Sequence, residues 1–200
     1  MKKYIVLFLV VFFSSCKIEP EITIHKVQGS PEYPNAKINL NEPVAVEDGY
    51  EFSFDVINYE LGMQTLKNFD YQLANSEKGQ HIHFIVNNDP YSAHYNEKFS
   101  KKLEGDSNLI LAFLSRSYHE SVKNKNAFVL TQLGEQKIDL NNEFLFYSRP
   151  KGTYKGPDTE KLLLDFYLIN TQISADGNKV RATIQDLSLI HISEPTRLHG

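Results

Sequence analysis

Gly79-Gln80-His81-Ile82-His83-Phe84-Ile85-Val86-Asn87 is the stretch on which the fold turns. Successive side chains of an extended chain point to opposite faces, so Ile82, Phe84 and Val86 share one face while His81, His83 and Ile85 share the other. Alternation of this kind is the signature of a strand rather than a helix. Working outward, residues 36–40 alternate in the same way, 50–59 are rich in Phe, Val and Ile, and 108–114 form a continuous apolar run. Further strand candidates lie at 127–132, 143–147, 161–170 and 179–184, with Asn, Gly, Asp and Pro between them. Short strands at this spacing predict an all-β chain of sandwich type, with one or two helical turns at 95–103.

An internal repeat sharpens the expectation. Phe52-Ser53-Phe54-Asp55-Val56-Ile57-Asn58-Tyr59 and the later Gly79 to Asn87 stretch parallel Leu164-Asp165-Phe166-Tyr167-Leu168-Ile169-Asn170-Thr171 and Gly177 to Gln185. Each copy is an apolar strand, a polar connection and an alternating strand opened by glycine. Tandem immunoglobulin-like β-sandwich units are therefore expected, the first over 38–140 and the second beginning at 141–186 and truncated there. Residues 17–37 carry Pro20, Pro31 and Pro34 with little periodicity and are expected to be a tether.

Residues 1–16 differ in kind. Lys2 and Lys3 precede an unbroken apolar or aromatic run from Tyr4 to Phe13, closed by Ser14 and Ser15, the pattern of a secretory signal peptide. The run falls well short of the roughly 20 residues that a permanent membrane helix needs. Cys16 is the only cysteine, so an intramolecular disulfide is excluded and the exported domain must rest on its core alone. Loss of Lys2 and Lys3 with the leader brings the 21 basic residues to about 19 against 25 acidic, which removes the basic footprint that nucleic-acid binding requires.

Phe13-Ser14-Ser15-Cys16 resembles the lipobox of bacterial lipoproteins, with Phe where Leu is preferred, in the looser form found in Bacteroidetes. The resemblance implies that Cys16 is lipidated and becomes the mature N-terminus, with a membrane as partner. Multiple acylation makes such an anchor stable, because one chain holds only marginally. Lys17-Ile18-Glu19-Pro20-Glu21 resembles the charged tether that sends some such lipoproteins to the cell surface. Asn58-Tyr59-Glu60-Leu61-Gly62, Gly79-Gln80-His81-Ile82-His83, Ser115-Arg116-Ser117-Tyr118-His119-Glu120-Ser121-Val122-Lys123 and Phe146-Tyr147-Ser148-Arg149-Pro150-Lys151-Gly152-Thr153-Tyr154 together resemble an uncharacterised Bacteroidetes lipoprotein family. Some of its members carry the label phosphopeptide-binding protein. The resemblance implies an envelope location, in the outer membrane and facing the surface, and a second β domain that continues past Asp186. Leu187-Ser188-Leu189-Ile190-His191-Ile192-Ser193-Glu194-Pro195-Thr196-Arg197 resembles a translated sequencing adapter, so 187–200 is expected to be foreign to the natural protein, the alternative being a genuine C-terminal strand, and His191 and His199 are not counted as ligands.

Two constellations can carry chemistry. His81 and His83 project from one strand face about 7 Å apart, a spacing that lets two imidazoles share an ion, with His94 and His119 as candidates to complete the set. Imidazole ligands of this number suit Zn or Cu. The alternative is that both are half-exposed strand residues bonded to neighbouring loops. Arg116 and Arg149 each follow a serine and stand with Lys151 and Tyr154 as candidates for binding carboxylate or phosphate, the alternative being solvated loop charges or an interdomain ion pair. Ser117, His119 and Glu120 are too close together to form a triad locally, and no Gly-x-Ser-x-Gly elbow exists, so the chain is not expected to be an enzyme. The expected function is non-catalytic binding of an envelope ligand or protein, with no cofactor beyond Zn or Cu; metal binding is the alternative and a hydrolase a distant third.

If Cys16 carries the anchor, Cys16→Ser should move the protein from the membrane to the soluble fraction. Unchanged membrane association, with no lipid on the wild type by mass spectrometry, would refute it.

Overall fold

The computed structural model describes residues 29–69, 73–160, 162–184 and 187–192. The expected leader with Cys16, residues 17–28 of the expected 17–37 tether and residues 193–200 lie outside the described residues; the rest of that tether is corrected, since Tyr33 and Ala36 pack into the core and Lys37 opens β1. Among those described there is no α-helix; one 3-10 turn, Gly156–Glu160, interrupts a chain of strands. These are β1 (Lys37–Leu40), β2 (Val44–Val46), β3 (Gly49–Ile57), β4 (His81–Val86), β5 (Ser92–His94), β6 (Lys98–Lys101), β7 (Ser107–Ser115), β8 (Phe128–Gly134), β9 (Phe144–Arg149), β10 (Asp165–Ile169), β11 (Val180–Ile184) and β12 (Leu187–Ile192). The chain is thus all-β, built of several antiparallel sheets.

The sheet that organises the rest has the order β5-β4-β7-β8. Its centre is the β4–β7 ladder, in which His81 faces Ser115, His83 faces Phe113 and Ile85 faces Leu111, alternating with Ile82 opposite Leu114 and Phe84 opposite Ala112. Both faces of this ladder are covered. Ile82, Phe84, Ile110, Ala112 and Leu114 pack against Ile38 of β1 and Phe52 and Phe54 of β3, in the sheet where β1, β2 and β6 all pair with β3. Ile85, Leu111 and Phe113 pack against Phe146 of β9 and Tyr167 and Ile169 of β10. The second cluster therefore draws on both sides of residue 140. β11 and β12 pair with each other.

Covering both faces has a direct consequence for the histidines. The half-exposed alternative for His81 and His83 does not hold, because the β9–β10 layer closes over their face and neither side chain retains solvent exposure. The helical turns expected at 95–103 are also corrected: Lys98–Lys101 is strand β6, paired with β3. There Phe99 turns inward among Phe52, Phe54 and Phe84 while its neighbours Lys98 and Ser100 stay in solvent, a period of two that four residues are too few to announce. β2 and β5 are three residues each, too short to leave a pattern in sequence.

If the middle sheet is held by both faces, a cavity on either should be costly. Phe84→Ala and Phe113→Ala should each lower unfolding free energy by about 3–5 kcal/mol in urea titrations. A cost below about 1 kcal/mol for one of them would show that its face is not a packed core.

Candidate metal centre

Gly79 adopts φ 85° and sits so close to the Gly62 backbone that a Cβ there would collide with it. That approach turns the Gly79 carbonyl toward its strand's first residue, where it lies 2.8 Å from His81 Nδ1. A carbonyl only accepts, so Nδ1 carries the hydrogen and His81 Nε2 is left with its lone pair. One strand pair further on, His83 Nε2 stands 2.9 Å from that atom, and its other nitrogen, Nδ1, is 3.1 Å from Ser148 Oγ of β9.

The third imidazole arrives from a loop. β7 ends at Ser115, and the Arg116 carbonyl accepts from the His119 N–H at 2.8 Å while the Arg116 N–H donates to the Glu120 carbonyl at 2.9 Å. This tight reversal needs a left-handed residue, and His119 takes it at φ 68°. The reversal folds the His119 ring back over the β4 face, with Nδ1 3.2 Å from His81 Nε2. One ring nitrogen from each of His81, His83 and His119 therefore lies within 4.8 Å of the others. Nitrogens bound tetrahedrally at about 2.0–2.1 Å from Zn stand about 3.3 Å apart, so the two shortest spacings need only small adjustment to admit an ion. The outer nitrogens of His81 and His83 are already held by a carbonyl and a hydroxyl, the kind of support that orients metal-binding imidazoles. Ser148 can serve either tautomer of His83, because a hydroxyl both donates and accepts.

Burial governs the electrostatics. It is the main cause that lowers His81 to about 4 and His119 to about 3, with the charge of Arg149 adding to each. His83 is pushed well below the usual imidazole range, again first by burial and then by the neighbouring His81, His119, Arg149 and Lys151. All three rings are thus neutral at pH 7, the form in which an imidazole can coordinate a metal.

The structure brings together only some of the residues that the sequence singled out. His94 is opposite Ile82 in register, so it belongs to the other face of β4; its ring stacks on Phe99 with centroids 3.4 Å apart and bonds Ser92 Oγ at 2.8 Å. It does not join the group. Arg116 is also corrected as a ligand-binding candidate. With 3 % exposure, its guanidinium is spent on the Pro31 and Ser121 carbonyls and lies 3.9 Å from Glu120, where it closes the loop that carries His119.

Arg149, Lys151 and Tyr154, by contrast, gather beside the histidines. Arg149 Nη1 donates to Tyr154 Oη at 2.9 Å, and both Arg149 and the Lys151 ammonium lie over the Tyr91 ring, 5.5 and 4.3 Å from its centre. Tyr91 itself stacks on His83 with centroids 3.6 Å apart, its hydroxyl 3.4 Å from His119 Nδ1. Burial pushes that hydroxyl up to about 12, so it stays protonated. A cleft lined by Ala74, Tyr118, His119, Arg149, Tyr154 and Leu163 opens from this cluster to solvent. Tyr91, Ser148 and Gly79 were not singled out as site residues, since nothing local in Asp89-Pro90-Tyr91 or Tyr147-Ser148 records which strand face they meet. No protein-family model, curated protein or solved structure matches the chain.

The depressed imidazoles make stability pH-dependent. An unfolded histidine takes up its proton near pH 6.5, whereas folded His81 and His119 do so only at about 4 and about 3. Between these limits the unfolded chain binds more protons, so stability is fully present above about pH 6.5 and is lost as pH falls toward 4 and below. Urea midpoints of metal-free protein should drop between pH 7.5 and 4.5, and His119→Asn, which tolerates the left-handed backbone, should show a smaller drop. An equal drop in the variant would remove His119 from this account.

Proposed function

We propose that this chain is a lipid-anchored envelope protein whose immunoglobulin-like β-sandwich framework holds a Zn or Cu ion on His81, His83 and His119, in a non-catalytic binding role. The observation that carries the metal is the convergence of three neutral ring nitrogens within 4.8 Å, with no Cys, Asp or Glu in the group. An all-imidazole set of borderline softness favours Zn and Cu over Mg or Ca, which prefer oxygen ligands. Three protein ligands also leave a tetrahedral ion one open position. The anchor and the envelope location rest on the leader and on the resemblance around Cys16. The sandwich arrangement is supported by the two core clusters on opposite faces of the β4–β7 ladder.

His81 Nε2 has a lone pair facing two other ring nitrogens, and only protons shared among the rings keep lone pairs from opposing each other. With an ion bound, His83 and His119 would each carry their hydrogen on the other ring nitrogen, His83 then donating to Ser148 Oγ, and all three facing lone pairs would turn to the metal.

Calorimetric titration of the full-length chain in mild detergent with Zn and with Cu should show one saturable site. His81→Ala, His83→Ala and His119→Ala should each weaken it at least tenfold, about 1.4 kcal/mol, whereas His94→Phe should bind as the wild type does. Absence of saturable binding in the wild type, or equal loss in His94→Phe, would refute the assignment.

A further inference from the structure

The charges around the histidines do not balance for a metal alone. His81, His83 and His119 supply no negative charge, and Arg149 and Lys151 stand beside them. None of the ion pairs among the described residues involves either cation. A bound divalent ion would leave the cluster strongly positive in a setting of low dielectric, where such charge is costly. Arg149 also has an unmet need of its own. The residue is 9 % exposed, and its Nε is buried with no hydrogen-bond partner. Nη1 donates to Tyr154 and the guanidinium also bonds the Tyr91 hydroxyl, so Nε is the one donor of this planar fork, a group suited to oxyanions, that is left without a partner. Arg149 and His119 line the same cleft, whose enclosed part has room for one water-sized group.

We propose that the ion is held together with a small oxyanion, a carboxylate or phosphate group, one of whose oxygens fills the open metal position while another accepts from Arg149. The inference rests on the metal assignment above and names the ligand class of that same site. Lys151 adds charge over Tyr91, and Tyr154 holds the guanidinium in place. Among the described residues, the carboxylate that faces Arg149 across the β9–β10 ladder is Asp165. One of its oxygens, Oδ1, is taken by Ser121 Oγ at 2.6 Å, whereas Oδ2 is itself without a partner.

The test is thermodynamic linkage on the full-length chain in detergent. Zn affinity is measured in anion-poor buffer, then with sodium acetate and separately with sodium phosphate, and each anion is titrated into Zn-loaded and metal-free protein. At least one anion should raise Zn affinity tenfold or more, and reciprocity requires Zn to raise that anion's affinity by the same factor. Response to acetate alone assigns a carboxylate ligand, and response to phosphate alone a phosphate. Arg149→Met and Tyr154→Phe should reduce the enhancement to under threefold, the second variant covering the case in which the first fails to fold. Zn binding that neither anion alters, anion binding equally tight without metal, or full enhancement in a folded Arg149→Met would overturn the proposal while leaving the metal site intact. Absence of Zn binding in every buffer would instead remove the metal assignment.

Discussion

Both faces of the β4–β7 ladder are buried, and the rest of the molecule follows from that constraint. A strand covered on one side only would have left His81 and His83 in water, where an imidazole is an ordinary surface group. Here Phe52 and Phe54 close one face and Phe146, Tyr167 and Ile169 close the other. The histidines therefore sit at the end of a hydrophobic layer, in line with Ile85, Leu111 and Phe113. Burying polar groups in such a place costs free energy unless each finds a partner. The Gly79 carbonyl, the Ser148 hydroxyl and the other imidazoles supply those partners.

The same burial fixes the chemistry. Desolvation holds all three rings neutral, and neutrality is what a metal requires of an imidazole. Arg149 and Lys151 reinforce it, since a proton on any ring would add to an already positive cluster. The arrangement thus repels protons more effectively than a solvent-exposed pair of histidines could. It also leaves the cationic side of the cleft in want of negative charge, a want that none of the described ion pairs meets.

Arg116 and Arg149 show how far one residue type in one local pattern can diverge. Both follow a serine at the end of a strand, Arg149 as the last residue of β9 and Arg116 just after β7, and both are buried. Arg116 meets backbone carbonyls from Pro31 and Ser121 and becomes a clamp for the loop that carries His119. Arg149 meets the Tyr154 hydroxyl and lies over the Tyr91 ring, and its Nε stays unspent. A Ser-Arg pair in sequence holds no information about which carbonyls will lie within reach, because those belong to segments tens of residues away.

Alternation is a local property with a period of two, so most of the strands and the shared face of His81 and His83 are legible in the chain itself. It locates β1, β3, β4, β7, β8, β9, β10 and β11 where runs of apolar residues are long enough to show that period. β2, β5 and β6 are too short, and Lys98–Lys101 reads as helical turns because one inward Phe99 does not make a pattern. Only the tertiary structure decided that His119 joins the pair while His94 does not. His94 is one register step from the site along β5 but on the opposite face, whereas His119 is 36 residues from His83 and is returned to it by a left-handed turn after β7. Chain separation says nothing about such a meeting; the antiparallel register of β4 with β7 and the layer that β9 and β10 lay over them are what bring the three rings together.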